Sequence, residues 1–472
     1  MHTLIKISVV VLMAPVFTQA GLAAQVKQKA SSARPFAPQT SVLRIVGSFV
    51  RKLTGTLTNQ SPVQQSILRD ASWSKLPPQH QFQGGGIPAS GDFDGDGDQD
   101  LLMAMPNGGV EVWINNGAGR FVDDTAARIF HPGNRVSALL VGDVDLDGDL
   151  DFVTGTADSL GGFGDRIWLN DGTGGFTIFV DIPTGGVNTG GVAMGDYNGD
   201  GFVDLVFAVG QGGHGTTGGV DRLYFGDPFG NFTSSAAFAQ SAWNETITAS
   251  TSVSSGDVDG DGDLDLFITK YDGASATGSP GAYNVILLND GVGHFTDASA
   301  TRLLPARRKD NSSDATLSDL DGDGDLDMVI SNSLLSVSGP LSGDVLWNQG
   351  GVQGGQAGYF VDGVGDLQEI PSLAESIRLG QVVADFNADG LKDVLFLVHD
   401  LPPGGQQPLF MGQAGGNFVR SPHFRTSTFV GSGVHAFDSD GDGDPDVIMT
   451  AAGSAAGGLD SLRTRLFVNR IQ

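Results

Sequence analysis

Cysteine is absent from the 472-residue chain, so a disulfide scaffold, a thiolate zinc site, a cysteine nucleophile and a lipoprotein anchor are all excluded. Bases are scarce: 26 Lys and Arg stand against 54 Asp and Glu, a formal charge of −28. Such a chain repels nucleic acid and anionic membranes unless its acids are neutralised, so no nucleic-acid partner is expected. Proline is ordinary at 20 residues and no Gly-X-Y period occurs, which excludes a collagen. Glycine is abundant instead, at 71 residues, and that weighs against an all-helical fold. The apolar fraction of 40% is ample for a core at this length.

Long hydrophobic runs are also lacking. Lys6 precedes a short apolar stretch that ends in small residues near Ala20 and Ala24, the pattern of a signal peptide over residues 1–24. The stretch is short for a bilayer span of about 20 residues, and no later run is longer. The expectation is a secreted, periplasmic or cell-surface protein with no transmembrane span after signal cleavage. From Gln25 to Arg69 there is no acid at all; the first in the chain is Asp70. This segment carries Lys27, Lys29, Arg34, Arg44, Arg51, Lys52 and Arg69, and Val42, Leu43, Val46, Phe49, Val50 and Leu53 fall near helical spacing. Residues 25–63 therefore read as a basic linker with room for a short helix.

From Asp92 onward one nine-residue loop, D-x-[DN]-x-D-G-x-x-D, occurs seven times. The starts are separated by 51, 53, 61, 62, 66 and 53 residues. Positions 1, 3, 5, 7 and 9 are the candidate metal ligands, position 7 through its backbone carbonyl. In loop 1 they are Asp92, Asp94, Asp96, Asp98 and Asp100; in loop 2, Asp143, Asp145, Asp147, Asp149 and Asp151. Loop 3 offers Asp196, Asn198, Asp200, Phe202 and Asp204, and loop 4 Asp257, Asp259, Asp261, Asp263 and Asp265. Loop 5 offers Asp319, Asp321, Asp323, Asp325 and Asp327; loop 6, Asp385, Asn387, Asp389, Leu391 and Asp393; loop 7, Asp438, Asp440, Asp442, Asp444 and Asp446.

Oxygen donors converging around a glycine turn suit calcium, which takes six to eight oxygens at roughly 2.3–2.6 Å; magnesium demands stricter geometry. The loops hold 31 of the 54 acids, which would repel one another without a cation. Up to seven Ca²⁺ ions are expected, one per loop. Loops 3 and 6 should bind more weakly, because Asn198 and Asn387 carry no charge. An EF-hand is excluded, since it needs a bidentate Glu at position 12. That position holds Met103, Thr154, Phe207, Ile268, Ile330, Phe396 and Met449.

An apolar segment precedes each loop and a β-prone run follows it, so the loop joins two strands as a hairpin. A third strand follows, as in VEVWINN and DRIWLND, and a glycine turn leads to a fourth, as in GRFVDDT. Four antiparallel strands repeated seven times describe an all-β, seven-bladed β-propeller. Trp113, Trp168, Tyr224 and Trp347 on third strands should pack between blades. The seventh repeat ends at Gln472 before a fourth strand. The segment Ser66 to Gln79 resembles His294 to Arg307, with Asp-Ala-Ser at Asp70 to Ser72 and at Asp297 to Ser299. Ser66 to about Ser72 is thus expected to pair with Arg465 to Asn469 and close the ring.

The stretch VGDVDLDGDLDFVTG, followed by RIWLNDGTGGF, resembles the FG-GAP/VCBS repeats of the integrin-α-type seven-bladed propeller. The resemblance covers about residues 64–472. It implies calcium on one rim of the disc and ligands on the opposite face. That face is formed by the connections between second and third strands and between blades.

The resemblance leaves function open between two classes. One is a binding or adhesion module for a glycan or a protein surface, which the reading favours. The other is a lyase or hydrolase acting on an anionic polysaccharide, with His131, His214, Tyr271, His399 or His423 as base. Arg307, Arg308, Lys309, Arg378 or Arg425 would then neutralise the substrate carboxylate. Glu is rare, with Glu111, Glu245, Glu369 and Glu375 the candidates for a glycosidase pair. Arg307-Arg308-Lys309 is the one concentrated basic run of the repeat region.

Overall fold

In a computed structural model the chain divides into residues 1–63 and 64–472. The structure describes residues 68–77, 86–105, 108–130, 135–156, 164–182, 188–210, 219–240, 248–271, 282–303, 309–332, 344–351, 354–363, 378–398, 407–422, 424, 431–451 and 464–470. The expected signal peptide and basic linker lie outside these residues.

The second unit is a seven-bladed β-propeller. Each blade is a four-stranded antiparallel sheet. Blade 1 comprises Ile87–Gly91, Asp100–Ala104, Val110–Ile114 and Val122–Asp123, and blade 2 Val136–Gly142, Asp151–Thr156, Asp165–Asn170 and Phe176–Ile182. Blade 3 comprises Thr189–Gly195, Asp204–Val209, Arg222–Gly226 and Phe232–Ser234, and blade 4 Ala249–Gly256, Asp265–Tyr271, Val285–Asn289 and Phe295–Asp297. Blade 5 comprises Ser312–Ser318, Asp327–Asn332, Asp344–Asn348 and Phe360–Asp362, and blade 6 Arg378–Ala384, Asp393–Val398, Leu409–Gln413 and Asn417–Arg420. Blade 7 takes Gly431–Phe437, Asp446–Ala451 and Arg465–Val468 from the C-terminal end and Arg69–Asp70 from the N-terminal side. The inner strands touch in a closed cycle in which blade 7 meets blade 1.

The second strands are rich in apolar residues because both of their faces are buried, each against a different neighbour. In blade 1, Leu101 and Met103 face blade 7 while Leu102 and Ala104 face blade 2. In blade 6, Val394, Phe396 and Val398 face blade 5 while Leu395 and Leu397 face blade 7. Each of the seven hydrophobic clusters fills one of the seven blade interfaces. The third-strand aromatics are in these seams. Trp168 stacks on Phe152 at 5.3 Å, and Trp347 of blade 5 lies over Phe418 of blade 6 at 6.3 Å.

Several fourth strands are shorter than the sequence suggests. In blades 7, 1, 3 and 4 they stop and turn into one-turn helices: α1 (Ser72–Lys75), α2 (Thr125–Arg128), α3 (Ala236–Ala239) and α4 (Ser299–Arg302). An Asp-x-Ser/Thr step causes the turn in three of them. Asp70, Asp123 and Asp297 each accept from the N–H and hydroxyl of the residue two further on, an Asx turn that competes with strand. The same hydroxyl accepts a third-strand N–H at 3.0 Å, Leu466 to Ser72, Val112 to Thr125 and Ile286 to Ser299.

Blade 7 thus repeats, with residues from the N-terminal side, the local chemistry of blades 1 and 4. Its register sets Arg69 opposite Val468 and Asp70 opposite Phe467. Ala71 N–H donates to Leu466 O at 2.8 Å, and Leu68 and Leu76 are buried in the seams on either side of blade 7, with blades 6 and 1.

Candidate metal centres

Each D-x-[DN]-x-D-G-x-x-D loop caps the hairpin between the first and second strands of a blade, so all seven sit on one rim. Position 1 folds the loop over itself: its Oδ2 accepts the N–H of the position-6 glycine at 2.8–3.1 Å in every loop. These glycines have φ between 88° and 102°, a conformation that a Cβ resists. Position 5 accepts the N–H of position 7 at 2.9–3.1 Å.

Position 9 has a structural task besides the one expected of it. Its Oδ2 accepts the N–H of position 2 at 2.8–3.1 Å. Its Oδ1 accepts an N–H from the end of the third strand at 2.6–2.9 Å. Position 2 looks variable in sequence, but Phe93, Val144, Tyr197, Val258, Leu320, Phe386 and Ser439 are all buried there and anchor the loop.

Carboxylate oxygens converge within 4.8 Å in five loops: Asp92, Asp94 and Asp96; Asp143, Asp145 and Asp151; Asp257, Asp259 and Asp265; Asp319, Asp321 and Asp327; and Asp438, Asp440 and Asp446. Among the described residues these are the acid clusters of metal-site geometry. The remaining position-5 acids, Asp147, Asp261, Asp323 and Asp442, hold the turn through position 7. Position 7 contributes its N–H to that turn, while its side chain lies under the next glycine turn. A Cβ on Gly117, Gly172 or Gly291 would come within 2.5–2.6 Å of the Asp98, Asp149 or Asp263 carboxylate. In loops 3 and 6 the position-3 amide is turned inward: Asn198 donates to Asp200 and Asn387 to Asp389, both at 3.0 Å. There, Asp196, Asp204, Asp385 and Asp393 keep the same backbone partners as elsewhere, and Phe202 and Leu391 occupy position 7.

Two further elements support the loops, and sequence reasoning passed over both. An Asn at the end of the third strand donates to the position-2 carbonyl of the preceding blade's loop at 2.7–2.9 Å: Asn115 to Ser439, Asn170 to Phe93, Asn289 to Tyr197, Asn348 to Val258 and Asn469 to Phe386. Blades 3 and 6 hold Gly226 and Gly412 instead, where a Cβ would meet a carbonyl at 2.2 Å. These are the two blades with Asn at position 3.

The second element is the base that ends a short helix. Lys75 of α1 pairs with Asp440 at 3.0 Å, Arg128 of α2 with Asp94 at 3.1 Å and Arg302 of α4 with Asp259 at 3.6 Å. Each base also donates to a carbonyl in the next blade's turn, that of Ala118, Thr173 or Ala357. The spacing D-x-[ST]-x-x-[KR] from Asp70, Asp123 and Asp297 is the signal that would have found them.

These bases occupy only one oxygen of each position-3 carboxylate. The other, Oδ1 of Asp94, Asp259 and Asp440, is buried and meets no hydrogen-bond donor of the protein, as is Oδ1 of Asp92. Buried carboxylate oxygens left unmade are costly. Clustered with further acids, they fit a hard cation with oxygen ligands.

Burial, opposed by the backbone donors, pushes the position-9 carboxyls up from 3.8: Asp100, Asp151, Asp204 and Asp446 to about 6, Asp265 and Asp393 to about 7, and Asp327 to about 8. Asp325 rises to about 7, first through burial and then through Asp323. A raised folded-state pKa gives stability that is fully present below the unfolded value and lost as pH rises through the folded one. In chelator the protein should therefore melt higher at pH 5 than at pH 8, and millimolar calcium should remove that decline. Thermal melts at the two pH values check this; a higher melting temperature at pH 8 in chelator would contradict it.

The FG-GAP-like repeat model matches residues 92–154, 199–268 and 385–449. The matches to 92–154 and 385–449 each run from one metal loop to the second strand after the next loop. The fold is that of an FG-GAP repeat propeller. No curated protein matches the chain. Solved structures similar to this FG-GAP propeller include two of BBS1N in complex with ARL6DN, from crystals soaked with lead and with mercury. Their TM-scores are 0.47 and 0.46; each has 10% identity and covers 86% of this chain and 97% of that chain.

Of the other residues singled out in sequence, those described in this FG-GAP propeller lie on separate strands. His131, His214, His399, His423, Arg307, Arg308, Arg425, Glu245, Glu369 and Glu375 lie outside the described residues. Lys309 pairs with Tyr283 in a two-stranded ribbon, Arg378 begins the inner strand of blade 6, and Tyr271 ends the second strand of blade 4. Glu111 accepts from the indole N–H of Trp113 at 3.0 Å. Among the described residues no helix is long and apolar enough to cross a membrane.

Proposed function

We propose that the chain is a secreted, calcium-dependent binding module that recognises a glycan or a protein surface through the rim opposite the metal loops. The observation that supports it most is the sevenfold loop, with buried carboxylate oxygens left without donors in loops 1, 4 and 7, on a ring whose blades are tied together through those same loops. Asp and Asn at positions 1, 3, 5 and 9 would ligate the ion, with the position-7 carbonyl. The ion would offset the loop charge and hold the rim rigid. Antiparallel pairing sends the connection between second and third strands to the other rim. Six of those connections are long and five of them are rich in Gly and Ser, the kind of loop on a rigid scaffold that carries binding residues.

A glycan array probed with the purified protein tests this. Calcium-dependent binding to a defined subset of glycans, abolished by chelator, is expected of the glycan form of the reading. Absence of any calcium-dependent ligand, glycan or protein, would overturn it.

A further inference from the structure

On the metal-loop rim, between blades 2 and 3, there is a cavity of about 310 Å³. Loop 2 contributes Asp145 and Leu146 to its wall, loop 3 Phe202, the fourth strand of blade 2 Phe179, and the last turn of blade 3 Asp227 and Phe229. No base is among its lining residues. The walls hold three of the eight large apolar side chains that are exposed among the described residues: Leu146 at 51%, Phe179 at 43% and Phe229 at 84%.

Three other seams show what this place holds elsewhere. In blades 7, 1 and 4 the fourth strand turns into a short helix whose last base reaches two acceptors. One is the position-3 carboxylate of its own blade's loop, and the other is the carbonyl just before a turn glycine of the next blade. The residue before the turn glycine of blade 3, Gly230, is Phe229. In blade 2 the fourth strand runs on to Ile182 instead of turning into a helix, so no base is delivered. A Cβ on the turn glycine would strike Lys75 at Gly119, Arg128 at Gly174 and the Phe179 ring at Gly230. Phe179 thus stands where the bases stand, and Asp145 is left exposed. The side chains of Asp94, Asp259 and Asp440, which have a base, are only 12–17% exposed.

Leu146 is a second anomaly. It adopts a φ of 62° at position 4 of its loop, where loops 1, 3, 4, 5 and 7 have glycine at 72–81°. The side chain resists that conformation and gains little burial there, so folding alone does not account for it.

A carboxylate beside aromatic and aliphatic walls suits a guanidinium, which is planar, stacks on rings and is more weakly hydrated than an ammonium. Arg302 shows the same combination within this chain: it pairs with Asp259 and lies over the Tyr359 ring at 4.1 Å. Such a base leaves one carboxylate oxygen for an ion, as Arg128 takes only Oδ2 of Asp94. The chain's formal charge of −28 steers a basic partner towards it.

We propose that this cavity docks an arginine side chain of a partner protein, its guanidinium on Asp145 and the Phe229 carbonyl and its stem against Leu146, Phe179 and Phe229. The partner supplies from outside the base that Lys75, Arg128 and Arg302 supply from within. The site lies on the rim away from the connections proposed above to bind ligands, and neither reading depends on the other.

Titration of the full chain in millimolar calcium with acetyl-Gly-Arg-Gly-amide and acetyl-Gly-citrulline-Gly-amide, followed by ligand-observed NMR, tests it. Citrulline keeps the shape of arginine and removes the charge. The arginine peptide should bind, and the citrulline peptide should bind at least tenfold more weakly. Leu146→Gly and Phe229→Ala distinguish this cavity from diffuse attraction to an acidic surface, because neither alters the charge. Each should weaken binding of the arginine peptide at least threefold. The melting temperature should be unchanged in Phe229→Ala and unchanged or raised in Leu146→Gly, which installs the residue found at that position in five other loops. If Phe229→Ala does not fold, Leu146→Gly decides. The proposal is overturned if the arginine peptide does not bind, if the citrulline peptide binds as well, or if the folded variants bind like the wild type. Self-association of the wild type in sedimentation, abolished by Phe229→Ala, would also overturn it by assigning the cavity to a second copy of the chain.

Discussion

Transfer from millimolar calcium into chelator should lower the melting temperature by about 10 °C or more. A ligand that binds only the folded state stabilises by about 2.7 kcal/mol per site at a hundredfold excess over Kd. Five loops bring together trios of acids, so even partial occupancy sums to several kcal/mol, on the order of 10 at saturation. A domain of this size moves by roughly 1–2 °C per kcal/mol. The effect should be global, because the loops are bolted to neighbouring blades. Asn170 of blade 2 holds the carbonyl of Phe93 in loop 1, and Arg128 ties loop 1 to the turn at Thr173. Differential scanning calorimetry in the two buffers measures the shift, and coincident melts would contradict it.

The second large effect concerns ring closure. A chain beginning at residue 80 should be less stable than one beginning at residue 64 by about 5 kcal/mol or more. The deletion removes the outer strand of blade 7, Arg69–Asp70, and with it the partners of Phe467 and Val468. It also removes Leu68 and Leu76, buried in the seams with blades 6 and 1, each contributing about 1.5–3 kcal/mol. Ser72, which satisfies Leu466 N–H, and Lys75, which pairs with Asp440, are lost too. The exposed strand would present an unpaired edge that promotes self-association. Denaturant unfolding in calcium compares the two chains. Equal stability would mean that residues 64–79 do not close the ring.

Much of this architecture can be read along the chain, because the repeat is expressed in residues close together. The nine-residue loop and the apolar second strand recur seven times, which makes strand number and order legible. The closing strand is legible for a narrower reason: Asp70-Ala71-Ser72 reproduces Asp297-Ala298-Ser299, and both triplets make the same Asx turn.

What escaped the sequence reading depends on contacts between distant residues. The bond from Asn348 to the Val258 carbonyl spans 90 positions, and that from Lys75 to Asp440 spans 365. Nothing local announces that the variable position 2 is the buried anchor, or that position 9 is already holding two backbone N–H groups. Likewise Asp314 and Gln381 look like ordinary strand residues 67 positions apart, and only the packing of blade 5 on blade 6 brings them together. The lower charge of loops 3 and 6 was legible from Asn198 and Asn387. The matching loss of the bridging Asn at Gly226 and Gly412 was not.

The most direct measurement is the number of calcium ions bound per folded chain, by equilibrium dialysis or native mass spectrometry across a calcium titration. Five should bind first, in loops 1, 2, 4, 5 and 7, and loops 3 and 6 should fill last to give seven. A folded chain that binds no calcium at millimolar concentration would contradict the central claim.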